Sequence, residues 1–197
     1  MIKSPSILIN DLKQSLKLIL EEESTLIEKF AIKKSVRKCE MILNAGDNAS
    51  VFYYIKQGIS RSYILENSLE ITTQFSFNSD IVFPLNAFPF NSQSEEYIQA
   101  MTDLDYFEIN LYEFERLISK NPLLSNIERK IYQLQNYQLG MRVRSFQTKT
   151  AKQRYLEIIA REPRIIKYCQ LSHLATYLGI SSGSLSRIRK EIKNNII

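Results

Sequence analysis

The chain has 197 residues, of which 44% are hydrophobic and 24% charged, a composition ordinary for a folded soluble protein of one or two domains. It has no apolar run of about 18 residues and no signal-like start, so we expect no membrane span and a cytoplasmic location. Its two cysteines, Cys39 and Cys169, and one histidine, His173, are too few for a disulfide framework, an iron–sulfur cluster or a cysteine-based zinc site. No metal or cofactor is therefore predicted.

The net charge of +5 is divided unevenly along the chain. Residues 1–120 carry a net charge of −5, whereas residues 121–197 carry +10. Such a division favours a polyanionic partner for the C-terminal part. The alternative is a basic face that is merely solvated.

The first part of the chain changes from a helical to a strand pattern. Apolar residues at helical spacing predict a helix within residues 11–32. Beyond about Val36, short β-rich runs alternate with turn residues, and Gly46 and Gly58 stand where a turn favours positive φ. This spacing is typical of an antiparallel sandwich or barrel. The runs are 41–46, 51–58, 60–65, 70–77, 81–84, 96–101 and 105–109.

A long helix is predicted to begin at Pro122, because proline suits the first helical turn. Along it runs a narrow apolar stripe with alternating steps of three and four residues, which is the pattern of a coiled-coil seam. We expect this helix to pair with a second copy; the alternative is a helix packed on its own domain. The stripe consists of Leu124, Ile127, Ile131, Leu134, Gln138 and Met141.

The remaining residues, 147–197, read as compact and helical. One helix is expected to bury Tyr155, Leu156 and Ile159 and to end before Pro163. The next helix is expected to end at Gly179, in the position of a left-handed C-cap.

A short basic helix follows Gly179. Ser181 or Ser182 can cap it, and Leu185, Ile188 and Ile192 share one face. The opposite face carries small residues first and cations later, which suits insertion into the major groove of DNA. Arg187 can reach a guanine edge, and the other cations suit phosphates. The residues predicted to meet DNA are Ser181, Ser182, Gly183, Ser184, Ser186, Arg187, Arg189 and Lys190. Together the two helices have helix–turn–helix geometry, and His173 is expected on its solvent side. The alternative is an ordinary helical hairpin in a core.

Two stretches resemble the Crp/Fnr family of transcription regulators. ILNAGDNASVFYYIKQGISRSYI resembles the entry of that family's β-roll, and LSHLATYLGISSGSLSRIRK resembles its helix–turn–helix. The resemblance implies an α+β fold with an N-terminal antiparallel, jelly-roll-like β-roll sensor domain (1–119), a dimerisation helix (120–146) and a helix–turn–helix domain (147–197). It also implies a homodimeric regulator, not an enzyme, that binds pseudo-palindromic double-stranded DNA and acts with RNA polymerase.

The effector site departs from the family. Cyclic-nucleotide binders carry a Gly-Glu pair that takes the ribose hydroxyl and an Arg-Ser pair that neutralises the cyclic phosphate. The matching positions are Phe83-Pro84 and Ser94-Glu95, so the cation is missing, and cAMP or cGMP is not expected. The surrounding apolar residues are compatible with two alternatives, a pocket for an apolar ligand and a filled core. The candidate effector pocket consists of Phe75, Phe83, Pro84, Leu85, Ser94 and Glu95.

Two other functions compete with this reading. One is a cyclic-nucleotide-responsive regulator with an altered pocket. The other is a metal enzyme built on the β-roll, but such barrels need several histidines, and residues 36–110 contain none.

Overall fold

In the computed structural model, the residues described are 31–85, 93–119 and 122–194. Of the helix predicted within residues 11–32, all but the last two residues lie outside these ranges. Those two, Ala31 and Ile32, begin a strand instead.

The strands form two antiparallel sheets, which confirms the predicted β-roll. One four-stranded sheet has the order β1-β8-β3-β6, and the other has the order β2-β7-β4-β5. Every strand pair in both sheets is antiparallel. The strands are β1 (Ala31–Val36), β2 (Met41–Leu43), β3 (Val51–Gln57), β4 (Ser60–Glu66), β5 (Leu69–Ser76), β6 (Ile81–Val82), β7 (Tyr97–Ala100) and β8 (Leu104–Asn110).

The two turn glycines have the backbone conformation that the sequence predicts. Gly46 has a φ of +92° and Gly58 a φ of +112°, both in the region that L-residues avoid. At Gly58 a Cβ atom would lie 2.6 Å from the carbonyl oxygen of Asp103. This turn therefore needs glycine for space as well as for conformation.

Helices make up the rest of the described chain. The first is too short to be obvious from the sequence; the Asn110 side chain caps it by accepting from the backbone N–H of Glu113. The second begins at Pro122, as predicted. Within the described ranges, every helix is too short or too polar to cross a bilayer. The helices are α1 (Leu111–Ile118), α2 (Pro122–Thr148), α3 (Ala151–Arg161), α4 (Ile165–Tyr168), α5 (Leu171–Tyr177) and α6 (Ser182–Asn194).

Three apolar clusters hold these elements together. The first lies inside the β-roll and includes Ile55, Val82 and Ile98. The second joins α1 and α2 to the β1-β8-β3-β6 sheet. The third joins the C-terminal helices to the other sheet, with Phe75 in contact range of the α5 side chains. The C-terminal helices are therefore packed on the β-roll rather than tethered beside it.

The predicted pairing stripe of α2 needs correction. Ile131 and Leu134 are 3% and 6% exposed because they pack into the cluster between α2 and the sheet. They are not available to a second copy, and the alternative of a helix packed on its own domain describes them. Gln138 and Met141 remain partly exposed. The side chains of Leu124 and Ile127 lie outside the described part of the chain.

Candidate nucleic-acid interface

The turn between α5 and α6 is built by two short sequence signals. Gly179 has a φ of +69°, and the N–H groups of Gly179 and Ile180 donate to the carbonyls of Thr176 and Ala175. This is the left-handed helix end that the sequence predicts. The hydroxyl of Ser181 then accepts from the backbone N–H of Ser184 at 3.1 Å and caps α6.

Helix α6 has one face in the core and one in solvent. Leu185 is fully buried, and Ile188 and Ile192 pack against the same cluster. Tyr155 and Ile158 of α3 complete it, whereas Leu156, predicted to be buried, is exposed.

The cations of α6 lie on its outer face. Arg187, Arg189, Lys190 and Lys193 are all exposed. No salt bridge joins any of them to another residue of the described ranges. The acidic residue of α6, Glu191, pairs with Lys152 of α3, at 2.6 Å. The face therefore carries uncompensated positive charge.

The structure brings the predicted DNA-contacting residues onto one end and one face of α6. Gly183 and Ser186 are exposed, and Ser182 is partly exposed. Ser181 and Ser184 differ from the others, because their hydroxyls lie 3.0 Å apart and bond each other. These two serines shape the helix start, while Ser182, Gly183 and Ser186 stay open to a ligand.

Phe146 fixes this helix pair to the end of α2. Its ring lies between the guanidinium groups of Arg142 and Arg154, at 5.3 Å and 4.6 Å from its centroid. Arg154 also donates to the carbonyl oxygens of Lys149 and Leu178 at 2.6 and 2.8 Å. These bonds connect the end of α2 to the turn before α6 and set the direction of α6.

Helix α5 docks on strand β5. The backbone N–H of Thr72 donates to the hydroxyl of Thr176 at 3.2 Å. The rings of Phe75 and Tyr177 lie 5.0 Å apart. The β-roll and the α5–α6 pair thus share both a hydrogen bond and an apolar contact.

A buried arginine lies at this junction. Arg61 on β4 is 1% exposed; its Nη2 lies 2.5 Å from Oε2 of Glu70 and 3.3 Å from Oε1 of Gln99. Its Nε and Nη1 have no hydrogen-bond partner among the described residues. His173 of α5 also faces Glu70, so the prediction that His173 lies on the solvent side is wrong. Sequence pattern gives no sign of this cluster, because it depends on α5 meeting β5.

The six candidate effector residues do not come together. Phe75 lies at the junction with α5, because the register pairs it with Arg61 on that face of the sheet. Phe83 stacks on Phe52 at 4.9 Å, in the cluster next to α2. Leu85 is exposed to solvent. A single apolar pocket made of these residues is therefore not formed.

The acidic segment of the candidate pocket divides into a buried and an exposed part. Ser94 and Glu96 are buried, while Glu95 is exposed. The Ser94 hydroxyl donates to the backbone carbonyl of Glu96 at 2.8 Å. Pro84 is also buried. The buried acid of this segment is Glu96, the neighbour of the position that the sequence singled out.

An exposed apolar stripe runs along a different face of α2 from the predicted one. Leu139, Val143 and Phe146 are 62%, 50% and 42% exposed. With Tyr132 and Asn136, they repeat the steps of four and three residues that a two-helix seam requires. We call Tyr132, Asn136, Leu139, Val143 and Phe146 the outer stripe.

Residues 33–121 match the family model described as the cyclic nucleotide-binding domain. No curated protein matches the chain.

Solved structures share the fold of nearly the whole chain. FixK2 from Bradyrhizobium japonicum is 18% identical, with a TM-score of 0.66, covering 85% of this chain and 86% of FixK2. A Eubacterium rectale protein described as a Crp/Fnr transcriptional regulator is 19% identical, with a TM-score of 0.67 and coverage of 87% and 82%. CLP of Xanthomonas campestris, described as a c-di-GMP-responsive global regulator, is 18% identical, with a TM-score of 0.65 and coverage of 85% and 88%. The chain therefore has the fold of Crp/Fnr regulators.

Proposed function

We propose that this chain, which has the fold of the Crp/Fnr regulators, is a homodimeric transcriptional regulator that binds specific DNA sequences. The observation that carries the proposal is helix α6, anchored through Leu185 and open to solvent on its cationic face. Such a helix fits the major groove while the cations beside it neutralise phosphates. A regulator of transcription would act together with RNA polymerase.

The side chains of α6 divide into two roles. Arg187 lies directly opposite the buried face, where a guanidinium can donate to both acceptors of a guanine. Lys190 and Arg189 suit backbone phosphates. Ser182 and Gly183 are short, so the start of the helix can approach the floor of the groove, and sequence-dependent DNA shape would supply the remaining discrimination.

The outer stripe is the surface that we propose for the second copy. A seam with alternating steps of four and three residues pairs best with an identical seam, and the polar Asn136 within it would fix the register. Leu139 and Val143 form the exposed apolar centre of this surface. Two copies joined here would present two α6 helices to major grooves about 34 Å apart on a pseudo-palindromic site.

In this proposal the chain has three working parts. Residues 1–119 form the sensor-like β-roll, residues 120–146 the dimerisation helix and residues 147–197 the DNA-binding module. The β-roll lacks the cation that would neutralise a cyclic phosphate, so the regulator responds to another effector or to none. The apolar effector considered from the sequence has little support, because Phe75 and Phe83 lie in separate clusters.

A second candidate function is a regulator that responds to a cyclic nucleotide through an altered pocket. The match of residues 33–121 to the cyclic nucleotide-binding domain favours it. Calorimetry of the purified protein with cAMP, cGMP and c-di-GMP separates the two functions, because micromolar binding of any of them supports the second.

The test of the main proposal is selection of bound sites from random double-stranded DNA, without added ligand. We expect a two-fold motif whose half-sites are one helical turn apart. The control is Gly183→Glu, because Gly183 is exposed and its nearest neighbour to a new Cβ lies 3.9 Å away. This variant should fold normally and select no motif. Wild-type protein that selects no motif at low salt would overturn the proposal.

A further inference from the structure

Glu96 is a carboxylic acid buried in the β-roll. It is 3% exposed, although it follows the exposed Glu95 directly. Its Oε1 accepts from the hydroxyl of Thr73 on β5 at 2.6 Å, and its Oε2 accepts from the backbone N–H of Leu85 at 2.9 Å. Both carboxylate oxygens are therefore used inside the protein.

The bond to Leu85 connects the two segments that match the ligand-binding pairs of cyclic-nucleotide binders. Leu85 directly follows Phe83-Pro84, and Glu96 directly follows Ser94-Glu95. The hydrogen bond between Glu96 and Leu85 joins one segment to the other without a ligand. A carboxyl group already lies between them, and it is supplied by the chain.

Burial has an electrostatic cost at this position. It raises the pKa of Glu96, and the hydrogen bonds from Thr73 and Leu85 lower it in part. No arginine or lysine forms a salt bridge with Glu96 within the described residues. A second anion at this place would meet a buried carboxylate that no cation compensates.

We propose that Glu96 closes the effector pocket to anionic ligands and takes the place of the ligand's anionic group. The β-roll is then held in its liganded arrangement by its own side chain, and DNA binding needs no small molecule. This inference rests on the proposed function, because it describes how that regulator is controlled.

The test uses Glu96→Ala, with Glu95→Ala as the matched control. Glu96→Ala leaves the Leu85 N–H and the Thr73 hydroxyl without their partner, so we expect the melting temperature to fall by roughly 5 °C. Sodium acetate, which has the size of the deleted CH2–COO− group, should restore about half of this loss at tens of millimolar. Sodium chloride at the same concentration should not. Glu95→Ala should show neither the loss nor the recovery.

Further outcomes decide the proposal. Micromolar binding of cAMP or cGMP to the wild-type protein would overturn it, as would a folded Glu96→Ala variant that acetate does not stabilise. If Glu96→Ala does not fold, Glu96→Gln is used instead. In this variant the new side-chain amide N–H can donate to the Thr73 hydroxyl, and the amide oxygen can accept from the backbone N–H of Leu85. This variant should bind DNA as tightly as the wild type without ligand, and a requirement for cAMP would contradict the proposal.

DNA binding separates this inference from the proposed function. If neither the wild type nor Glu95→Ala prefers any DNA sequence, the proposed function fails, and the recovery of Glu96→Ala by acetate still decides what fills the pocket. If both bind DNA but the wild type also binds a cyclic nucleotide, only the inference about Glu96 fails.

Discussion

The Nε2 of His173 lies 3.3 Å from the carboxylate oxygen of Glu70, so α5 and β5 are joined by a polar contact as well as an apolar one. The same oxygen lies 2.5 Å from Arg61, which is buried. The docking of the C-terminal helices on the β-roll therefore includes a titratable group.

We expect this docking to weaken as the solution becomes acidic. Burial lowers the pKa of His173, the nearby Arg61 lowers it further, and Glu70 opposes both. Because the pKa is lower in the folded protein than in the unfolded chain, protonation favours the unfolded chain. The stability that neutral His173 contributes is fully present above about pH 6.5, the ordinary pKa of histidine. This stability is lost as the pH falls through that value toward the lower pKa of His173 in the folded protein.

Thermal unfolding between pH 8 and pH 5.5 measures this effect. His173 is the only histidine of the chain, so His173→Gln, which can still donate to Glu70, is a matched control. The melting temperature of the wild type should fall more steeply toward pH 5.5 than that of the variant. Equal slopes would mean that His173 does not control docking. Comparing the two slopes also cancels the opposite trend from Glu96, whose raised pKa stabilises the fold toward low pH.

The position of His173 shows where sequence pattern stops being informative. The periodicity of α5 correctly indicates that Leu174 and Leu178 share a buried face. Nothing in a seven-residue helix indicates that its flank also meets a strand a hundred residues earlier in the chain. Local signals were sufficient where the structure is local: Gly46, Gly58 and Gly179 have positive φ, and Ser181 caps α6.

The outer stripe illustrates the same limit on α2. The helix has two apolar stripes with the spacing of a seam, and the sequence alone does not indicate which of them meets the β-roll. Ile131 and Leu134 face Phe52 and Phe114 of the same chain, so the other stripe is left for a partner. For Glu95 and Glu96, adjacent in an irregular segment, only the fold decides which one is buried.

Substitutions on the two stripes should have opposite effects. Leu139→Asp and Val143→Asp place a charge on the outer stripe. We expect the variant protein to be monomeric and to have the same melting temperature as the wild-type monomer. Leu134→Ala empties a site in the core and should destabilise the fold by about 2–5 kcal/mol. Sedimentation equilibrium and chemical unfolding measure the two quantities. A dimer that survives both aspartate substitutions would exclude the outer stripe as the pairing surface.

Gly179→Ala tests how the turn before α6 is fixed to α2. The residue has a φ of +69°, which costs about 1–2 kcal/mol for alanine, and the new Cβ would lie 2.9 Å from the Phe146 ring. We expect a loss of about 2 kcal/mol or more in unfolding free energy. Gly183→Ala, which meets nothing within 3.4 Å, is the control and should cost little. In a Phe146→Ala background the penalty at Gly179 should shrink; an unchanged penalty would mean that the ring moves aside freely.

The two cysteines should differ in reactivity toward a maleimide. Cys39 is exposed, whereas burial raises the pKa of the Cys169 thiol to about 12. Because the thiolate is the reactive form, native Cys169 should react on the order of 100-fold or more slowly than in urea. Mass spectrometry of the modified peptides distinguishes the two sites. Rapid modification of both sites in the native protein would mean that the contact between the C-terminal helices and the β-roll opens readily.

Arg187 and Lys190 should differ in what they contribute to DNA binding. Arg187→Ala removes a group that can bond a guanine, so discrimination against the wrong base at one position of each half-site should fall by about 1–3 kcal/mol. Lys190→Ala removes a phosphate contact, so it should weaken binding to all sequences alike. It should also reduce the slope of log K against log salt by about 1.8 per dimer, at about 0.9 for each phosphate.

Lys56→Ala, which removes an exposed cation from the β-roll, is the control and should change neither quantity. Binding isotherms on a selected site, on point variants of it and on unrelated DNA, each at several salt concentrations, separate the two roles. An equal loss on every sequence for Arg187→Ala would assign Arg187 to phosphate and leave base recognition to the hydroxyl groups at the start of α6.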